Sequence, residues 1–329
     1  MKLPVFSAED LTARSAEFMR PWHENYLAMY SSIWEGIVTD PVLMTVPVDD
    51  HLVHRADGVF DAFKCVNGRA YCLDRHLRRL ERSASSLGID MPPDYERITD
   101  IIKAVVRTGG SRDVICRIIV SRGPGSFSTN PFDCPTSQLY VIAHSLKPPP
   151  PEAYEKGVAI ISAEVPVKPS FYAKVKSCDY LINVMITKAA KEGGVDFAVT
   201  WDENGFLAEG STENILLVSP EKELLIPEFD RILQGITLTR VMELSEELVL
   251  EGYLKGIKVV RIDRATAAHC LEVMLCGTSL DVLPVRKWDG RTIGQGRPGP
   301  VFRKLNEVLR HDIESNPDLL TPMFELDKA

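Results

Sequence analysis

The chain has 329 residues, of which 45% are hydrophobic and 26% are charged. These fractions are ordinary for globular proteins and exclude disordered and fibrous classes, and the length fits about two domains. The 38 basic and 46 acidic side chains give a net charge of −8, which argues against nucleic acid as a partner.

Neither membrane insertion nor export is indicated. No apolar run reaches the roughly 18 residues that a membrane span requires, and residues 1–4 contain no apolar signal region. No arginine- and serine-rich leader is recognisable either, so we expect a cytoplasmic protein. The seven cysteines include no C-x-x-C pair, and we therefore expect reduced, buried thiols.

The first half of the chain predicts a hairpin, a helix and two further strands. Asn67-Gly68 is the residue pair of a type I′ turn and joins two β-rich runs. Leu77, Leu80 and Leu87 recur at helical intervals among charged residues. The predicted strands cover residues 59–66, 69–73, 114–120 and 138–143, and the predicted helix covers residues 74–87.

The second half begins after four consecutive prolines, residues 148–151, which predict an extended interdomain spacer. We predict strands over residues 158–162, 197–201 and 214–218, and helices over residues 180–191 and from Thr237. Hairpins in both halves favour an α+β fold over a doubly wound parallel sheet. The predicted domains are 1–147 and 156–329, with the linker at 148–155.

Two motifs carry little weight. Gly294 to Gly299 fit G-x-G-x-x-G, but no strand-helix-strand unit surrounds them, so we predict a turn before a terminal helix. A non-enzymatic nucleotide-binding protein therefore remains only a remote alternative. His51 and His54 have no third ligand at a suitable spacing, so no metal site is predicted.

Three ordered segments carry the strongest functional signal: K-S-C-D-Y-L at 176–181, A-E-G-S-T-E-N at 208–214 and L-Q-G-I-T at 233–237. They resemble the signature of the fold-type IV enzymes of pyridoxal 5′-phosphate (PLP), the class IV aminotransferases. Residues 54–61 and 76–80 extend the resemblance, which covers nearly the whole chain and is most similar to plant-type D-amino-acid aminotransferases. It implies a two-domain homodimer with a small N-terminal domain and a larger C-terminal domain that hold PLP between them.

The resemblance assigns the cofactor's two electronic partners. Lys176 is the lysine that forms a Schiff base with the PLP aldehyde, which requires a lowered ammonium pKa. Lys174 is the alternative, because both lysines would face the same side of an extended segment. Glu209 is the carboxylate that keeps the pyridine nitrogen protonated.

The remaining cofactor contacts are also implied by the resemblance. Arg79 offers a planar fork for the phosphate, and backbone N–H groups at a helix start favour an anion. Tyr180 matches a tyrosine that reaches the phenolic oxygen of the cofactor. The phosphate contacts besides Arg79 are Gly235, Ile236, Thr237 and Thr278.

Substrate binding is implied for four residues. Arg117 aligns with the arginine of branched-chain and plant-type members, and Arg122 is an alternative partner for a substrate carboxylate. Phe60 replaces a tyrosine of the bacterial D-amino-acid enzymes, whose arginine and histidine are also missing from the loop at 126–129. Ser279 follows Thr278 in the same turn.

We therefore predict a transaminase that moves an amino group between an amino acid, such as D-alanine, and a 2-oxo acid by ping-pong kinetics. A branched-chain L-amino-acid aminotransferase is the first alternative, and Arg117 and Tyr180 support it. The second alternative is a 4-amino-4-deoxychorismate lyase, which uses the same cofactor and lysine to eliminate pyruvate.

Overall fold

The computed structural model describes Met1 and residues 3–324. Helices pack on two β-sheets whose hairpins lie in both halves of the chain, and this mixed architecture confirms the predicted α+β class. The helices are α1 (Ala8–Ala13), α2 (Ser15–Phe18), α3 (His51–Arg55), α4 (Leu73–Ser86), α5 (Ile98–Thr108), α6 (Pro151–Lys156), α7 (Ser170–Ala173), α8 (Leu181–Glu192), α9 (Ile236–Leu250), α10 (Arg264–Ala268) and α11 (Pro300–Ser315).

The first sheet is seven-stranded and antiparallel throughout, in the order β16-β4-β3-β5-β6-β1-β2. Its central strands are long and paired on both sides, whereas its outer strands are short. The strands are β1 (Tyr26–Ser31), β2 (Gly36–Val38), β3 (Gly58–Val66), β4 (Arg69–Tyr71), β5 (Val114–Ser121), β6 (Gln138–Ser145) and β16 (Leu320–Pro322).

The second sheet contains the strands between residues 158 and 292 and mixes parallel with antiparallel pairs. Its order is β12-β11-β10-β13-β14-β7-β8-β9, with β15 paired to β14. The strands are β7 (Val158–Ser162), β8 (Phe197–Trp201), β9 (Leu207–Gly210), β10 (Asn214–Val218), β11 (Glu223–Pro227), β12 (Gly256–Val260), β13 (Glu272–Gly277), β14 (Asp281–Trp288) and β15 (Arg291–Thr292).

The turn between β3 and β4 has the predicted geometry. Asn67 and Gly68 both adopt positive φ angles, of 52° and 76°, as a type I′ turn requires. The hairpin is therefore confirmed, and α4 begins directly after it and ends at Ser86. Helix α9 begins at Ile236, one residue before the predicted Thr237.

The prolines at 148–151 differ from the predicted spacer. Pro151 is the first residue of α6, so a helix occupies most of the proposed linker at 148–155. Proline suits this position because its missing N–H would have no helical partner there. Strand β16 also differs from expectation, since it returns from the C-terminal region to pair with β4. The domain boundaries at 147 and 156 remain a prediction.

The Gly294 to Gly299 segment forms the predicted turn before α11. The Glu272 carboxylate accepts hydrogen bonds from the N–H groups of Val301 and Phe302, both at 2.9 Å. An anion of the chain itself thus occupies the helix start where a nucleotide phosphate would bind.

Separate apolar cores lie on the two sheets. One packs α4 and α5 against the first sheet, and two others cover opposite faces of the second sheet, one of them under α9 and α11. Within the described residues, no helix combines the length and the apolar character that crossing a bilayer demands. The arrangement leaves a cavity between the two sheets.

Candidate active site

A cavity of about 360 Å³ lies between the sheets and is lined by residues of both. The first sheet contributes side chains of β3, β5 and β6, and the second contributes β9, β10 and the turn after β13. The cavity brings together these residues proposed from the sequence: Phe60, Arg79, Arg117, Lys176, Tyr180, Glu209, Gly235, Ile236, Thr237, Thr278 and Ser279.

Backbone hydrogen bonds to β3 hold the segment that carries Lys176. The N–H of Phe60 donates to the Lys176 carbonyl at 3.0 Å, and the N–H of Cys178 donates to the Gly58 carbonyl at 2.8 Å. The Lys176 N–H donates to the Ser83 hydroxyl on α4 at 3.2 Å. The lysine is thereby fixed to the first sheet while its side chain enters the cavity.

The Lys176 amine lies in an apolar and aromatic environment. Its Nζ donates to the Tyr180 hydroxyl at 3.0 Å and lies 4.7 Å from the centre of the Phe60 ring. Burial, assisted by the positive charge of Arg79, lowers the pKa of Lys176 to about 8. A substantial fraction is then neutral near physiological pH, as a nucleophile or base requires. Lys174 instead pairs with Asp230 at the surface, at 3.2 Å.

Glu209 lies partly buried on β9 and is held by two donors. The Asn214 amide and the Leu233 N–H donate to its Oε2, at 3.1 and 3.0 Å. Burial raises the pKa of Glu209 to about 7, against the opposing effects of the Leu233 N–H and Lys176. This carboxylate is therefore poised to ionise fully when a cation lies beside it.

Arg79 is positioned by a buried ion cluster. Its Nε and Nη2 donate to the Asp61 carboxylate at 2.7 and 2.8 Å, and His76 Nδ1 lies 2.7 Å from the same group. Although burial opposes it, the charges of Arg79 and His76 lower the pKa of Asp61. The Asp61 carboxylate thus binds the Nε–Nη2 edge of the guanidinium. The remaining nitrogen, Nη1, donates to the Gln234 carbonyl at 3.3 Å.

The start of α9 forms another side of the cavity. Gly235 precedes the helix, and no side chain caps it. A Cβ atom at Gly235 would lie 2.1 Å from Asn214 Oδ1, so only glycine fits beside this asparagine. The N–H groups of the first turn are left to bind an anion, and Thr278 and Ser279 line the same cavity.

The four residues proposed for substrate binding are not all in the cavity. Phe60 packs edge-on against Tyr180 at 5.0 Å, and the Arg117 guanidinium lies 5.4 Å from the Phe60 ring centre. Arg122 lies elsewhere, because its guanidinium binds Asp57 at 2.8 Å and the carbonyls of Leu87 and Gly88. Arg122 is therefore not among the residues that the structure brings together at the cavity.

Sequence reasoning did not assign a role to several residues at this site. Asp61 and His76 were within the quoted motifs, and the helical spacing of His76 and Arg79 was a usable sign of one shared face. Asn214 ended another motif. Nothing in the sequence marked Lys168 or His144, which reach the cavity from a loop and from β6.

Comparisons with known proteins agree with this geometry. The model of the family described as amino-transferase class IV matches residues 58–288, which is most of the chain. The chain belongs to the class IV aminotransferase family. Among its relatives is a chloroplastic D-amino-acid transaminase of Arabidopsis thaliana, 39% identical over 89% of this chain and 78% of that protein.

Other similar proteins are named branched-chain aminotransferases. A putative branched-chain-amino-acid aminotransferase of Methanocaldococcus jannaschii is 33% identical over 80% of this chain and 90% of its own length. The crystal structure of a T.th. branched-chain amino acid aminotransferase with pyridoxamine 5′-phosphate has a TM-score of 0.83 and 27% identity. The match covers 91% of this chain and 99% of that one.

Class IV aminotransferases depend on PLP, and the donor set of the cavity fits this cofactor. A lysine of lowered pKa can bond to an aldehyde, a buried carboxylate can pair with a pyridine nitrogen, and a helix start with a neighbouring arginine can bind a phosphate. No side chain caps that helix start, and a Cβ atom at Gly235 would overlap Asn214 Oδ1. We find no donor in this set that conflicts with PLP.

Proposed function

We propose that this class IV aminotransferase transfers the amino group of a D-amino acid such as D-alanine to a 2-oxo acid. The observation that carries the proposal is the 39% identity to a D-amino-acid transaminase along 299 residues. The cavity is compatible with it, because Arg117 extends from the middle of β5 and lines the cavity beside Phe60. A planar guanidinium there suits a substrate carboxylate.

The side chains of the cavity have two roles in the reaction, cofactor binding and proton transfer. Bound PLP supplies an aldehyde that accepts the amino group and a ring that withdraws electrons from the substrate α-carbon. We assign its anchoring to Lys176, Glu209 and Arg79, together with Gly235, Ile236, Thr237 and Thr278. Lys176 Nζ would remove the substrate α-proton as a general base and pass it on as a general acid within the same half-reaction, so that the amine is free for the reverse transfer in the second half.

Tyr180 and Phe60 prepare Lys176 for this role. The Tyr180 hydroxyl accepts a hydrogen bond from Lys176 Nζ, which fixes the direction of the amine. Burial and the nearby Glu209 carboxylate raise the pKa of Tyr180, so its phenol stays protonated at neutral pH. The two aromatic rings exclude water from one side of the amine.

A half-reaction without any 2-oxo acid tests the proposed substrate. D-alanine, L-alanine and L-leucine are added separately to the purified PLP-loaded protein, and the cofactor absorbance and the released 2-oxo acid are measured. We expect D-alanine alone to yield about one pyruvate per site with loss of the PLP band, because a half-reaction consumes one cofactor. L-alanine is the control for enantiomer choice.

The other outcomes identify the alternatives. Conversion by L-leucine alone would replace the proposal with a branched-chain aminotransferase, which the relative from Methanocaldococcus jannaschii favours. A stable PLP band with all three donors, and pyruvate release from 4-amino-4-deoxychorismate, would replace it with the lyase activity.

We also propose that the protein is a homodimer. Leu181, Val184 and Met185 lie on one face of α8 and are exposed, and we name them the α8 apolar stripe. Apolar residues at i, i+3 and i+4 form a continuous surface that water solvates poorly. The stripe follows the Lys176 segment directly, so a second copy there would adjoin the active site.

We propose a cytosolic location for this enzyme. The seven cysteines are free thiols, an arrangement typical of reducing compartments. The Arabidopsis thaliana relative is named chloroplastic, so imaging of the tagged protein in an organelle would contradict the proposal.

A further inference from the structure

A second lysine, Lys168, lines the active-site cavity together with Lys176. It lies in the loop between β7 and α7, and its Nζ is 4.7 Å from the centre of the Tyr180 ring. Lys64, which is buried, is paired with Asp281. Among residues 3–324, by contrast, no carboxylate forms an ion pair with Lys168, and its ammonium contacts an aromatic face instead.

Lys168 lies close to the acidic residue Glu209. The two residues line a small second cavity behind β9, together with Arg231. The Arg231 guanidinium is already paired with Glu203 and Asp230. Burial lowers the pKa of Lys168, whereas the carboxylates of Glu209 and Asp179 oppose this effect. Of these two cations, Arg231 is already in ion pairs, whereas Lys168 forms none with the described residues. The Lys168 ammonium can therefore act on Glu209.

The ionisation of Glu209 is finely balanced. Burial and the charge of Glu213 raise its pKa, while the Leu233 N–H and the two lysines, Lys176 and Lys168, lower it. The Asn214 amide and the Leu233 N–H donate to the same oxygen of Glu209, Oε2. The charge state of this carboxylate near neutral pH therefore depends on the cations around it.

Lys176 is unsuited to supply that charge permanently. Its amine bonds to the cofactor in one state of the enzyme and must be neutral to remove a proton in another. Lys168 has neither task, because its amine lies over Tyr180 and makes no hydrogen bond with the described residues. A constant positive charge near Glu209 can thus come from Lys168.

We propose that Lys168 is a positioning residue whose ammonium holds the Glu209 carboxylate ionised, so that Glu209 can pair with the protonated ring nitrogen of PLP. The inference rests on the proposed function, and in particular on the assignment of Glu209 to the ring nitrogen. In this proposal Lys168 acts through Glu209, and among the described residues it makes no hydrogen bond with Lys176 Nζ, which donates to Tyr180.

The test measures binding of pyridoxamine 5′-phosphate, which cannot bond to Lys176, to the cofactor-free full-length protein at pH 6.5 and pH 8.5. The variants are Lys168→Met, which removes the charge, and Lys168→Arg, which keeps it. Lys188→Met is the matched control, because Lys188 is exposed on α8 and pairs only with Glu192. Tryptophan fluorescence reports the affinity.

The expected effect depends on pH. Loss of the Lys168 charge raises the pKa of Glu209, and a carboxylate is ionised only above its pKa. We therefore expect Lys168→Met to weaken binding about tenfold at pH 6.5, as a shift of about one pKa unit requires, and about twofold or less at pH 8.5. Lys168→Arg and Lys188→Met should bind like the unmodified protein at both values.

A cofactor analogue isolates the ring nitrogen. In the 1-deaza analogue of pyridoxamine 5′-phosphate a C–H group replaces that nitrogen, and Lys168→Met should bind it as well as the unmodified protein does. The proposal would be overturned if Lys168→Met lost the same affinity at both pH values, or if it lost as much affinity for the analogue as for pyridoxamine 5′-phosphate. It would also be overturned if Lys168→Arg lost as much affinity as Lys168→Met. If the unmodified protein bound both ligands equally, the assignment of Glu209 itself would fail.

Discussion

Lys174 and Lys176 are separated by one residue and lie in different environments. Lys174 follows α7 as its C-cap residue in a helical conformation, with φ of −81° and ψ of −13°, and its side chain is exposed. Lys176 follows the buried Val175 and reaches the cavity. The rule that alternate residues share a face applies to extended segments only, so the bend at Lys174 separates the two amines.

This difference predicts opposite results for two substitutions. Lys176→Ala should lower the transamination rate by a factor of about 10³ or more, because the nucleophile and the base are lost together. Lys174→Ala removes only an exposed ion pair and should stay within about twofold of the unmodified rate. Steady-state rates and borohydride trapping of PLP, followed by mass spectrometry, measure both.

A Lys176→Ala protein that retained turnover would contradict the assignment. Thermal unfolding of both variants provides the control for folding. Trapping of PLP on Lys174 in the unmodified protein would restore the alternative that the structure disfavours.

The start of α9 contacts the first residue of β10. Asn214 begins β10, and its amide donates to Glu209 and to the Leu233 carbonyl at 3.1 and 2.8 Å. The same side chain fills the space beside Gly235. One asparagine thus contacts both the helix start and the Glu209 carboxylate.

Gly235→Ala should therefore weaken PLP binding by about tenfold or more and lower the free energy of unfolding by about 1–3 kcal/mol, because the added methyl displaces Asn214. Gly256→Ala is the matched control, since nothing lies within 4 Å of its added Cβ. Cofactor titration and denaturant unfolding measure the two effects. Equal behaviour of the two variants would show that the helix start tolerates the methyl group.

Part of the fold was predictable, because hydrophobic period and turn chemistry indicate many strands and helices locally, but helix α5 and strands β1, β13 and β14 were not predicted. The strands at 158–162 and 197–201 have the predicted bounds. Strands β9 and β16 escaped prediction because they are short and are defined by their partners rather than by their own pattern. For the same reason the ion pair of Asp61 with Arg79, and the approach of Lys168 to Tyr180, could not be read from the sequence.

The α8 apolar stripe leads to a prediction about assembly. Replacing Leu181 and Val184 together with glutamate should convert the proposed dimer to a monomer, since charges would enter an apolar interface. Leu250→Glu is the control, because Leu250 is an isolated exposed residue at the end of α9. Light scattering coupled to size exclusion gives the mass of each variant.

A monomeric unmodified protein would contradict the homodimer itself. A dimer that persisted after both substitutions would place the interface on another surface.

Strand β16 has a consequence for the order of events during synthesis. The first sheet is otherwise built from residues 26–145, yet among the described residues its β4 edge pairs, apart from β3, with residues 320–322. A nascent chain emerges from the ribosome with its N-terminal part first, so β4 presents an open edge until residues 320–322 have been synthesised. Completion of the first sheet therefore waits until every strand of the second sheet has left the ribosome.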